Sequence, residues 1–210
     1  MARFELGTFD QAWDRFLALL ATYSSATRAA LRPAATSDEI ARLEADLGFA
    51  LHPDLRALLE RHNGVVETQY GGFVERTGAF LPMGYQLLDI SKIASDHRFF
   101  VKEGVLNREF WPEEHLWGHM HQWAPIARSI DAGVLFIDHR PGPTYGHVYE
   151  AGIGSGATDG TLWGSSLTEF VTALADALDT RSTFRSDYFP EVRRSDLSGS
   201  ALLHWHIDWL

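Results

Sequence analysis

The sequence predicts an α+β protein, an antiparallel mixed sheet flanked by helices, on three observations. Its first half places apolar residues at helical spacing between recognisable caps, as in "TSDEIARLEADLG". Its middle carries short apolar runs separated by turn residues, as in "QWAPIARSIDAGVLFIDHR". A second capped, helix-period stretch, "SSLTEFVTALADAL", follows those runs. Helices and strands are therefore segregated along the chain, rather than alternated as a parallel sheet requires.

Composition bounds the function. At 210 residues the chain can bury roughly 70% of the surface its unfolded form exposes. Apolar residues are 45% and charged residues 22%, an ordinary globular balance. Acids outnumber bases 28 to 18, a net charge of −10. Such a field repels nucleic-acid phosphates and anionic lipid and attracts basic partners, so neither nucleic acid nor membrane is expected to bind. Cysteine is absent, which removes disulfides, thiolate zinc sites and thiol nucleophiles and fits a cytoplasmic protein. The opening "MARFELGTFDQAWDRF" has acids and a glycine where a secretory signal needs an apolar run, and no window approaches the ~20 apolar residues of a membrane span.

The elements follow in order. "FDQAWDRFLALLATY" reads as an amphipathic helix behind an Asp10 N-cap, with Trp13, Phe16, Leu17 and Leu20 as its stripe. "SSATRAALRPAA" breaks the period, and Pro33 marks a linker, so residues 1–30 read as an N-terminal helical extension. Thr36 and Glu39 form a capping box, Ile40, Leu43 and Leu47 a buried stripe, and Gly48 a left-handed end. Pro53 starts the next helix, Leu55, Leu58 and Leu59 give its core face, and Asn63-Gly64 ends it. His52 falls near its N-cap and His62 in its last turn, where the helix dipole favours a protonated imidazole.

"FLPMGYQLLDI" then reads as an extended edge leading into a helix, and "DHRFFVKEGVLNREFWPEEHLWGHMH" as a helix with an irregular insertion. Trp123 to Arg128 and Val134 to Asp138 form a hairpin about "SIDAG", and "HVYEA" supplies a third strand after "HRPGPTYG". Ser166 and Glu169 form another capping box over a Leu167, Phe170, Val171, Leu174, Leu178 stripe. Residues 181–210 read as an extension packed on the same domain, its final "HWHIDW" a strand with His204, His206 and Asp208 on one face.

No motif assigns a catalytic residue. His115 and His119 stand at i, i+4, the spacing that aligns two metal ligands on a helix, with His121 close behind. Gly118 between them, and Trp117 and Trp123 around them, favour packed or partner-facing aromatics over a metal. His204, His206 and Asp208 could form a facial triad, but a solvated strand face is the plainer reading. "GIGSGA" matches a loose dinucleotide loop, yet "TDGTLWG" follows where a helix must open on the pyrophosphate, so a glycine-rich turn is expected. Ile153 and Ala157 stand where a serine-hydrolase elbow needs glycines. Neither metal nor cofactor is predicted. Glu60 and His62 are two residues apart and point to different helix faces.

Binding chemistry remains. "NGVVETQYGGFVERTGAF" sets Tyr70 and Phe73 around Gly71-Gly72, either an aromatic loop that anchors an interface or a hairpin whose aromatics return to the core. The partner-binding candidates are Glu67, Tyr70, Phe73, Glu75, Asp138 and Tyr145, with Asp89 and Glu150 as further carboxylates able to steer a basic partner.

The stretch "LRPAATSDEIARLEADLGFALHPDLRALLERHNG" resembles the opening signature of the SUKH superfamily, named partly for a fungal cell-wall-assembly regulator. The matching positions are Pro33, Ile40, Glu44, Leu47, Gly48, Pro53, Leu58 and Asn63-Gly64. The family usually has Leu-Pro directly before the second helix, where this chain has Leu51-His52-Pro53. The central hairpin and closing helix are also similar, and the resemblance runs from about Leu31 to Leu178. It implies a SUKH-like domain over 31–180 without established enzymatic activity. Many bacterial members are immunity proteins that bind and neutralise toxins, often nucleases, so it implies a protein partner, here a basic toxin. The alternatives are a regulator or scaffold of the cell-wall-assembly kind and, third, a histidine-based metal-dependent enzyme.

Overall fold

The computed structural model describes residues 7–70, 72–106, 109–111, 115–152 and 157–207. Helix α1, Phe9–Tyr23, is capped by Thr8 rather than Asp10: Thr8 Oγ1 accepts the Gln11 N–H and Gln11 Oε1 accepts the Thr8 N–H, at 3.4 and 3.0 Å. Asp10 lies two residues inside the cap position, and instead pairs with Arg61 at 3.1 Å. The expected linker holds a short helix, α2, Ser25–Ala29, whose Ser24 cap accepts the Thr27 N–H. Helix α3, Ser37–Leu47, has the reciprocal Thr36–Glu39 box and ends on Gly48 at φ +81°. Helix α4, Pro53–Leu59, starts on its proline behind His52.

Helix α4 stops short of Asn63-Gly64, so that pair does not end it. Asn63 Oδ1 accepts the Ile90 N–H at 2.8 Å, and Gly64, at φ +74°, lets its backbone pass against Leu88 and Asp89. Both residues thus seat the start of helix α5. The chain reaches it through a hairpin of β1, Thr68–Tyr70, and β2, Phe73–Glu75, then strand β3, Gln86–Leu87. Helix α5, Ile90–Leu106, is capped by Asp89, whose carboxylate accepts the Lys92 N–H at 2.9 Å. A 3-10 segment, Leu116–Gln122, follows it.

Strands β4, Trp123–Arg128, β5, Val134–Asp138, β6, Val148–Gly152, and β7, Ala157–Gly164, join β3 in an antiparallel sheet ordered β3-β4-β5-β6-β7. Strand β7 occupies the place where a dinucleotide loop needs a helix; Ile153 to Gly156 of the glycine-rich loop lie outside the described residues. Helix α6, Leu167–Thr180, is capped by Ser166, while Glu169 turns back to the N–H of Ser165, so the box expected there is only half formed. The hairpin of β8, Tyr188–Arg194, and β9, Ala201–Ile207, completes the described chain.

Both faces of the sheet are buried at β5, which is why that strand reads as a nearly unbroken apolar run. On one face Leu135, Ile137 and Val148 enter the main core with Trp13, Phe16 and Leu20 of α1, the stripes of α3, α4 and α6, and Leu203 and Trp205 of β9. Each such large side chain, fully buried, stabilises by roughly 1.5–3 kcal/mol. On the other face Val134, Phe136 and Ala151 meet Trp123, Phe100 of α5 and Met120 of the 3-10 segment. Polar ties fasten the last hairpin: Trp205 Nε1 donates to the Phe80 carbonyl at 2.7 Å and Ser24 Oγ to that of Ala201 at 2.6 Å. No helix among the described residues is long and apolar enough to cross a membrane.

Candidate functional site

The structure separates the expected partner residues into two groups. Glu67 and Phe73 stand on the β1–β2 hairpin at the surface, and Phe73 is 67% exposed. Its ring therefore does not return to the core. Tyr70 pairs with Phe73 in the hairpin register, while its side chain and Gly71 lie outside the described residues. Tyr145 is exposed on the loop after β5.

Glu75 and Asp138 are corrected: both are buried and cannot meet a partner directly. Glu75 accepts hydrogen bonds from Ser195 Oγ and, at 2.6 Å, Ser198 Oγ, which together hold its carboxyl below the usual range. Asp138 is gripped by the Arg140 guanidinium at 2.6 and 2.8 Å. Asp89 is spent on capping α5, and Glu150 accepts the Tyr85 hydroxyl at 2.8 Å inside the core. Burial, reinforced by the Glu150 charge, raises the Tyr85 phenol well above its normal range. A buried carboxylate persists only where donors meet it, and each of these has found them.

Among the described residues the candidate histidines are not gathered into one group. His115 is extended ahead of the 3-10 segment and His119 sits at its kink, so α-helical i, i+4 alignment is lost. His204 and His206 lie on the outer face of β9, opposite Glu191 and Phe189, and Asp208 lies outside the described residues. Among the described residues no group of three or more His, Asp or Glu could hold a metal ion.

A different pair is brought together. His139 Nε2 accepts the backbone N–H of His52 at 2.9 Å, and its Nδ1 faces the Ile137 carbonyl at 3.0 Å. A backbone N–H can only donate and a carbonyl only accept, so the imidazole is neutral with its proton on Nδ1. Burial pushes the His139 pKa down to about 4. His52 Nδ1 in turn accepts the Asp54 N–H at 3.2 Å, capping α4. Tyr145 packs over both rings, at 5.1 Å from His52 and 5.9 Å from His139. His62 also departs from expectation. It lies beyond the end of α4, against Trp13, and burial with Arg28 and Arg61 nearby lowers its pKa to about 4 instead of favouring the charged form.

One apolar groove was not foreseen from the sequence. A groove of about 480 Å³ lies over the second face of the sheet, walled by Phe99, Phe100, Trp111, Trp117 and Met120, with Val134 and Ala151 as floor. Trp111 stacks on Trp117 at 5.6 Å, Trp117 meets Trp123 edge-on at 5.2 Å, and Trp123 stacks on Phe136 at 3.8 Å. Beyond the groove Phe110 is 75% exposed. The signal was the density of aromatic residues between 99 and 123, of which Trp117 and Trp123 read as packed or partner-facing. Rigid rings lose little entropy on contact, so such a groove suits a bulky side chain of a partner.

Helices flanking an antiparallel sheet, with exposed aromatic surface on the hairpin and over the sheet, define the class of molecule. The chain belongs to the SMI1 / KNR4 family (SUKH-1), whose model matches residues 34–173, two thirds of its length. Helices α1 and α2 and the β8–β9 hairpin fall outside that match. Comparison with curated proteins returned no match.

Proposed function

We propose that this chain is a non-catalytic protein-binding module of the immunity type, which binds a toxin in the cytoplasm and neutralises it by covering its active site. The observation that carries this reading is the exposed Phe73 on strand β2, an apolar aromatic side chain presented to water by a strand that pairs in register with β1. Glu67, Tyr70 and Tyr145 are its proposed companions. The net charge of −10 favours a basic partner such as a nuclease. Occlusion needs no nucleophile, base or metal, only a surface that excludes substrate.

The test is titration of the purified chain into an activity assay of the toxin encoded beside its gene. Inhibition should be complete near one equivalent, and Phe73→Ala should weaken it at least about tenfold, as loss of an aromatic anchor does. A toxin that stays fully active in excess of the chain overturns the reading. The family match itself favours a second reading, a regulator or scaffold of the cell-wall-assembly type that binds an endogenous partner with the same surface. A gene with no toxin beside it would favour that one.

A further inference from the structure

A cleft of about 470 Å³ opens between the β1–β2 hairpin and the edge of the main sheet, and its charge is opposite to that of the whole chain. Arg76, Lys92 and Arg128 line it, against Glu67 as the carboxylate in the described lining. Arg128 is tied to Asp96 at 2.8 Å. Among the described residues neither Arg76 nor Lys92 has an ion-pair partner within 4.0 Å, and the Asp96 carboxylate that holds Arg128 also feels the Lys92 charge, so three cations face two carboxylates. Arg76 donates to the Gly84 carbonyl at 3.2 Å, which holds its guanidinium in place without neutralising it.

Two further features give the cleft a shape. Val74 and Ile130 form apolar walls, and Ile130 is 81% exposed. Strand β3 also lines it through Gln86 and Leu87, which pair with Arg128 and Ala127 on one side and stand at the end of the sheet order. An edge strand offers main-chain groups to an extended segment, and flanking cations select which segment can approach.

We propose that this cleft docks an extended acidic segment of a protein partner, with carboxylates on Arg76 and Lys92 and an apolar residue between Val74 and Ile130. Glu67 repels acids at its own end and so orients the segment. A small anion would leave the apolar walls and the strand edge unused, and a second copy of a chain of charge −10 is repelled at distance. The inference does not depend on the toxin reading: the two surfaces share Glu67, but the cleft is defined by Arg76, Lys92 and Ile130, which the toxin reading does not use.

The test uses three fluorescein-labelled peptides on the full chain. One alternates Asp or Glu with Leu, one replaces the acids by Lys, and one keeps the acids and replaces Leu by Ala. Anisotropy should show binding of the first alone, weakened by salt and unaffected by excess inorganic phosphate. The double substitution Arg76→Gln and Lys92→Gln should weaken it roughly tenfold, as loss of two partly exposed charge contacts does. Lys92→Gln alone should cost about threefold and keeps the fold testable, because Lys92 holds no side-chain bond that the structure needs. Equal binding of acidic and basic peptides overturns the proposal, as does failure of the acidic peptide to bind or an affinity unchanged in the double variant. Displacement by phosphate would assign the cleft to a free anion, and self-association abolished by the same substitutions would assign it to a second copy; either overturns the partner segment.

Discussion

Gly64 shows how a residue can be legible in kind and misread in role. An Asn-Gly after an apolar stripe signals a helix end, but here the left-handed glycine lets two backbones touch, and a Cβ on it would stand 2.5 Å from the Asp89 nitrogen. Gly64→Ala combines that clash with an unfavourable φ and is expected to cost at least about 2 kcal/mol, read as a fall in the urea midpoint. A variant as stable as the parent would show that the approach relaxes freely. The carboxylates teach the same lesson. Glu67, Glu75, Asp89, Asp138 and Glu150 look alike in sequence, yet of these Glu67 alone is exposed. What buries Glu75 is a pair of serines 120 and 123 residues away, beyond the reach of any local pattern.

At the scale of elements, the starts of helices were readable and their ends and partners less so. Capping boxes act between residues three apart, so Thr36–Glu39 and Ser166 announced α3 and α6 directly. The start of α6 is also held from a distance: Asp54 of α4 accepts the Thr168 N–H at 3.0 Å and its hydroxyl at 2.8 Å, across 114 residues. Asp54→Ala should therefore cost about 1–2 kcal/mol although Asp54 does not cap α6 in sequence. Chemical denaturation decides it, and an effect within a few tenths would make the contact incidental. The stretch "HLWGHMH" failed as a helix-face reading because a 3-10 segment turns three residues at a time and kinks at His119, so the spacing carries no ligand geometry.

At the scale of the molecule, the neutral His139 makes the fold sensitive to acid. Its folded pKa of about 4 lies below the ordinary 6.5, mainly through burial, with His52 and His97 acting in the same direction and the Ile137 carbonyl and Asp138 opposing. The unfolded chain then binds the extra proton between those values. Stability from this group is complete above pH ~6.5 and is lost as pH falls from there toward 4, by roughly 3 kcal/mol at the end of the range. Burial also lowers the pKa of His52 and His97, which extends the same trend. The melting temperature should drop between pH 7 and 4.5, and His139→Asn should flatten that slope. Parallel profiles for the two proteins would move the acid response elsewhere. Because Tyr145 rests on both imidazoles, acid should loosen this part of the proposed partner surface first.

The sequence by itself determined the fold class, helices α3 and α4 with their starts, the central hairpin with its third strand, and the closing helix. All of these rest on interactions within a few residues or on a period of 3.6 or 2. It also carried the family, because the order and spacing of those elements survive in one dimension. Tertiary structure alone decided which carboxylates remain at the surface and which histidines are neutral. It also assembled the aromatic groove and the cationic cleft, each from segments far apart in the chain. The reason is physical: a side chain's burial and charge state are set by everything packed around it, and most of those neighbours lie outside any window that a local pattern can read.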